Sequence, residues 1–173
     1  MRLLVLALFL ASPLAAAQGA GLTPALPDTV RTDAVDGDNG VAILRETGEP
    51  FTGIVADTYP SGAKKLRRSV VDGKPEGLWV EWYESGVPRY LATWADGRGE
   101  GTWTYFHETG EVRERATVVG DVYAGPVEGW HANGRKAFEG TLVDNERDGT
   151  WRFWAEDGAL DRVEQYEAGA LVE

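Results

Sequence analysis

Five glycines, Gly53, Gly77, Gly101, Gly125 and Gly149, stand 24 residues apart with no insertion between them. Gly62, Gly86, Gly110, Gly134 and Gly158 keep the same spacing. A third column holds Gly73, Gly97, Asp121, Asn145 and Gly169, all residue types that tolerate a left-handed backbone. Three columns held in phase over five copies define a tandem array, with units at 53–76, 77–100, 101–124, 125–148 and 149–172. The columns take 13 of the 22 glycines, which accounts for much of an otherwise high glycine content.

The unit Gly77–Glu100 shows the plan. Leu78 to Tyr83 is rich in aromatic and β-branched residues and predicts a strand. Glu84-Ser85-Gly86 predicts a tight turn, repeated at Pro60-Ser61-Gly62, Glu108-Thr109-Gly110, Ala132-Asn133-Gly134 and Glu156-Asp157-Gly158. The Asn-Gly and Asp-Gly pairs there suggest type I′ turns, whose two central residues both need positive φ. Val87 to Ala95 is the return strand, and Asp96-Gly97 turns the chain into the next unit, as Asp72-Gly73 and Asp144-Asn145 do. The expected fold is all-β: an elongated, single-sheet antiparallel meander of tandem hairpins, about ten strands long.

All seven tryptophans fall on this grid. The second position after the leading glycine holds Val55, Trp79, Trp103, Val127 and Trp151. The fifth holds Thr58, Trp82, Phe106, Trp130 and Trp154, and a return-strand column holds Val70, Trp94, Val118, Leu142 and Tyr166. The second and fifth positions differ in parity, so apolar strips are expected on both sheet faces. A lone hairpin is marginal, and stability must come from neighbouring units.

Residues before the array read differently. Met1-Arg2, the apolar run Leu3–Leu10 and the small residues Ala15–Ala17 form a secretory signal, residues 1–17, with cleavage expected near Ala17. The apolar run is short for a membrane span. Residues 18–40 are rich in Gly, Pro, Asp and Thr and predict a flexible linker, with a short helical turn around Asp28–Ala34. Residues 41–52 predict a lead-in strand and turn. The chain has no cysteine, so an exported domain would be held by packing and backbone pairing alone. Its formal net charge is −11, and loss of Arg2 with the signal makes it −12. Such a surface disfavours nucleic acid and direct binding to acidic membranes.

The segments GLWVEWYESG, GTWTYFHETG and GTWRFWAEDG, with the opening Glu49-Pro50-Phe51-Thr52-Gly53, resemble the variant MORN repeat of bacterial proteins. The resemblance covers roughly residues 41 to 173. It weakens at GPVEGWHANG, which lacks the first aromatic, and at the opening copy GIVADTYPSG. It implies a non-enzymatic scaffold that binds protein, and in one bacterial branch an antitoxin for a secreted toxin. That branch is usually cytoplasmic, so the signal sequence argues against a direct transfer of the antitoxin role.

Little suggests chemistry. His107 and His131 share a column with Tyr59 and Tyr83, on strands roughly 9–10 Å apart, too far for one metal centre. They read as ladder residues replacing tyrosine. None of the serines lies in a nucleophile elbow, and the carboxylates show no distinguishing pair spacing. Asp33–Gly40 and Asp144–Gly149 cluster oxygens but fit no calcium loop, and turns are the simpler reading. No catalytic, cofactor or metal residue is therefore assigned. The interaction candidates are Trp79, Trp82, Trp103 and Trp154, together with the basic run Lys64, Lys65, Arg67 and Arg68, a docking patch for an acidic partner. An exported (periplasmic or extracellular) protein-binding scaffold is the leading expectation. An envelope glycan-binding module or a toxin-neutralising immunity protein is the alternative.

Overall fold

The computed structural model describes residues 28–38 and 41–172. The signal segment 1–17, the rest of the chain before Asp28, Asn39-Gly40 and Glu173 lie outside these described residues. The strands are β1 Thr29–Arg31, β2 Val35–Asp38, β3 Val41–Leu44, β4 Gly53–Thr58, β5 Lys64–Val71, β6 Lys74–Trp82 and β7 Pro88–Ala95. They continue as β8 Arg98–Phe106, β9 Val112–Val119, β10 Val122–Trp130, β11 Lys136–Val143, β12 Glu146–Trp154, β13 Leu160–Glu167 and β14 Ala170–Leu171. One open sheet runs β1-β4-β5-β6-β7-β8-β9-β10-β11-β12-β13-β14, every pair antiparallel except β1 with β4. The ten strands β4 to β13 are the expected meander of hairpins.

The two sets of turns exchange the roles that their residues suggested. At Tyr59–Ala63, the Gly62 N–H donates to Tyr59 O and the Tyr59 N–H to Ala63 O, and only Gly62 is left-handed (φ 85°). The same pattern recurs at Tyr83, His107, His131 and Ala155. These are three-residue loops, a type I turn closed by a left-handed glycine, so Asn133-Gly134 and Asp157-Gly158 do not form I′ turns. The I′ turns lie on the opposite rim. There both central residues are left-handed: Asp72/Gly73, Asp96/Gly97, Gly120/Asp121, Asp144/Asn145 and Ala168/Gly169.

Of the leading glycines only Gly53 opens a strand, as the repeat boundary implied; Gly77, Gly101, Gly125 and Gly149 sit inside β6, β8, β10 and β12. Between β5 and β6, Arg68 pairs with Trp79 and Val70 with Pro75, so Glu76, Gly77 and Leu78 stand opposite Ser69 alone. Gly77 takes φ 76° in this bulge, and Gly101 and Gly149 follow at 83° and 67°. Such a bulge in each unit from the second to the fifth bends and twists the sheet.

The register divides the side chains between two faces. Face A carries Val55, Trp79, Trp103, Val127 and Trp151, with Val70, Trp94, Val118, Leu142 and Tyr166 beside them. Face B carries the column Trp82, Phe106, Trp130 and Trp154. Aromatic rings on face A lie over glycines: a side chain at Gly99 would run into Trp103, at Gly129 into Phe138, and at Gly140 into Trp151. This repairs the fourth unit. It lacks the first aromatic, but Phe138 and Trp151 lean over its glycines and pack with Ala116, Val127 and Phe153.

The segment 18–40, expected as a flexible linker, is ordered over Asp28–Asp38. A 3-10 turn, Thr32–Ala34, joins β1 to β2, and β2 pairs with β3. The reason is apolar. Val35, Ala42 and Phe51 are buried against Val55 and Val70, so the β2–β3 hairpin closes the first-unit end of face A. The Ala42 N–H donates to Gly73 O and the Gly73 N–H to Phe51 O, which ties the hairpin to the first I′ turn.

Candidate interaction faces

Each rim is tied from unit to unit. On the loop rim the Tyr59 hydroxyl donates to Trp82 O (2.8 Å) and the Tyr83 hydroxyl to Phe106 O (2.9 Å). His107 Nε2 meets Trp130 O, and His131 Nε2 meets Trp154 O, both at 2.8 Å. A carbonyl only accepts, so each imidazole carries its proton on Nε2 and does the work of the tyrosine it replaces. On the I′ rim the Asp96 N–H donates to Glu76 Oε2 and the Gly120 N–H to Glu100 Oε1. Asp121 and Asn145 accept from the Gly99 and Tyr123 amides in turn. Part of the acidic surface is therefore structural. Among the described residues no group of three or more His, Asp or Glu side chains is arranged to hold a metal ion. Asp33 and Asp36 engage Arg31 and Arg45, and Asp144-Asn145 is one of the I′ turns.

Face A is a packed aromatic spine. Trp79 and Trp94 lie 5.5 Å apart, Trp94 and Trp103 5.6 Å, and Trp103 and Tyr123 5.8 Å. Tyr90 stands 4.9 Å from Tyr105, whose hydroxyl pairs with that of Tyr123 at 2.6 Å. Burial first, then the neighbouring tyrosine and glutamate groups, pushes the Tyr90 and Tyr105 phenols well above their ordinary value of 10.0. Both ends of the spine are closed by the chain's own cations. Arg68 stacks 5.2 Å from Trp79, and burial lowers its pKa. Arg147 lies 4.5 Å from Trp151, and Arg162 lies 3.9 Å from Phe153. Glu164 binds the Arg162 guanidinium and the Tyr166 hydroxyl, each at 2.8 Å.

Face B is organised by its pitch. Trp82, Phe106, Trp130 and Trp154 recur once per unit, with Pro88, Val112, Lys136 and Leu160 directly opposite them on the return strands. Equivalent positions two strands apart lie about 9.4–9.8 Å from each other. Lys64 Nζ lies 5.8 Å from the Trp82 ring, and Arg115 and Lys136 lie 5.5 and 5.7 Å from the Trp130 ring. A hollow beside Trp130 is lined by Glu111, Val112, Arg115 and Gly134.

The pleat separates the candidates that sequence grouped together. Trp79 and Trp103 meet on face A through Trp94, which belongs with them. Trp82 and Trp154 lie on face B, three units apart. The basic run is divided as well, so it forms no single patch: Lys64 and Arg67 point to face B, while Lys65 reaches Asp57 and Arg68 stacks on Trp79 on face A. Phe106, Trp130, Arg115 and Lys136 complete the face B strip. Their column was visible in the sequence, but only register shows which cations lie over which rings.

The sheet, its bulges and its two ladders define a single-sheet β-hairpin repeat protein. The MORN repeat variant matches residues 75–96 and 99–119, most of the second and third units. These two matches support a MORN-repeat array. No curated protein matches it.

Proposed function

We propose that this chain is an exported, non-enzymatic scaffold whose sheet binds a partner protein. MORN repeats are in general interaction scaffolds rather than catalysts. The observation that carries the reading is the face B strip, where half-buried aromatics recur at one pitch and cations lie over two of them, on a chain of net charge −11. Aromatic and arginine side chains are the usual anchors of protein interfaces. A photoreactive residue at Leu91, on face B, should give an adduct with one distinct protein in living cells. The same residue at Arg89, whose side chain serves Glu81 on face A, should not. Equal labelling from both positions, or none, sinks the reading. Export rests on the leader sequence, and fusing residues 1–28 to a reporter active only outside the cytoplasm tests it.

A second reading has one observation in its favour. Glu81, Arg89, Tyr90, Tyr105 and Arg113 line a depression on face A, a mix of ring and charge that suits a sugar. Sedimentation with insoluble envelope glycan, compared with a Tyr90→Ala variant, separates it from the first.

A further inference from the structure

We propose that the face B strip takes an extended polypeptide in the polyproline II conformation, carrying acidic side chains, with one helical turn per repeat unit. The inference rests on the protein-binding reading above and names the partner's chemistry. Its first ground is pitch. A polyproline II helix has three residues per turn and rises about 3.1 Å per residue, so one turn is about 9.3 Å. Trp82, Phe106, Trp130 and Trp154 recur at the two-strand spacing of about 9.4–9.8 Å. Four aromatics thus stay in step with such a ligand over its whole length, with a groove between each pair. Aromatic-lined grooves are how proline-rich segments are recognised, because the preformed helix loses little conformational freedom on docking.

The second ground is charge. The chain is strongly acidic, yet the columns that build the strip bring Lys64, Arg67, Arg115, Lys136 and Arg152 to it. Against them stand Glu128 and Glu139, both bound to Lys136, and Glu139 also pairs with Arg152. Arg67 and Arg115 pair with no carboxylate among the described residues. Ligand carboxylates would meet Lys64 and Arg67 at the first unit and Arg115 at the third.

The third ground separates a polypeptide from a glycan. An extended β-1,4-linked glycan also repeats at nearly this pitch, but sugars stack on open ring faces. Here Lys64 lies over Trp82, and Arg115 and Lys136 over Trp130. At Trp130 what stays open is the hollow beside the ring. That shape receives a ridge and offers no platform.

The test is a fluorescence titration of the intact chain with a synthetic peptide of repeated Glu-Pro-Pro triplets long enough to span the strip. Repeated Glu-Gly-Gly triplets and a chito-oligosaccharide serve as comparators. The Glu-Pro-Pro peptide should bind at least about tenfold more tightly than Glu-Gly-Gly, a difference of roughly 1.4 kcal/mol. Binding should weaken with salt and fall about tenfold in Arg115→Glu, a change at an exposed residue, and in Trp130→Ala. Equal binding of the two peptides, or binding unaffected by Arg115→Glu, would overturn the proposal. So would saccharide binding lost in Trp130→Ala. If Leu91 labels a partner protein but no Glu-Pro-Pro peptide binds, the scaffold reading stands and this inference falls.

Discussion

At the scale of single residues, the left-handed positions are where the sequence departs from its own rule. Four I′ turns open with Asp72, Asp96, Gly120 and Asp144, types that accept positive φ, but the fifth opens with Ala168 at φ 47°. Alanine there costs roughly 1–2 kcal/mol of local backbone energy. Ala168→Asn should therefore raise the midpoint of denaturant unfolding, by about 1 kcal/mol or less because end units fray; an unchanged or lower midpoint would contradict the strain. Glu114 offers a second residue-scale prediction. Its half-buried carboxyl titrates above the ordinary 4.5, chiefly through burial and against the pull of Arg113. A raised folded-state pKa means stability is greatest below the unfolded value and is lost as pH rises through the folded one. Glu114→Gln should thus unfold at a higher temperature than the parent at neutral pH, and the gain should vanish near about pH 3. A gain that persisted in acid would point to packing instead.

At the scale of strands and turns, the period was legible and the backbone geometry behind it was not. Glycines at fixed spacing mark positions that need special φ. A glycine in a bulge, a glycine closing a three-residue loop and a glycine in an I′ turn look alike in one dimension. Asn133-Gly134 suggests an I′ turn and forms a three-residue loop for that reason: loop length and hydrogen-bond partner decide turn type, and neither shows in a dipeptide. Gly99, Gly129 and Gly140 lie outside the columns because they answer to a ring above them, a contact made across strands. The histidines were legible, since a column shared with Tyr59 and Tyr83 implied a shared task. His107→Phe keeps the ring and removes the donor to Trp130 O, which should cost about 1–3 kcal/mol for a partly buried carbonyl left unpaired. His107→Tyr should restore most of it. Thermal melts of the pair decide the matter, and equal losses would mean that the bond contributes little.

At the scale of the molecule, a repeat array is a chain of nearest-neighbour couplings. The segment before the array could not be read from the period because it does not repeat. Its folding depends on Val35 and Phe51 meeting Val55 and Val70. Val35→Asp would place an unpaired charge in that cluster and should release the β2–β3 hairpin. Hydrogen exchange should then quicken in β4 and β5 while β10 to β12 keep their protection. Uniform loosening of the whole sheet would show instead that the array unfolds as one unit. The site was legible only in part for the same geometric reason: columns are visible in sequence, but faces, and the cations that lie over each ring, belong to register.

The loop-rim ladder has a direction. Tyr59, Tyr83, His107 and His131 each reach forward to a carbonyl of the next unit, and at the fifth position stands Ala155, which has no group to offer. The fifth unit can receive a neighbour and cannot hold one. A gene that lengthened this array by duplication would keep its seams sound by copying units upstream of Ala155. A copy of the last unit itself would plant a missing rung inside the sheet.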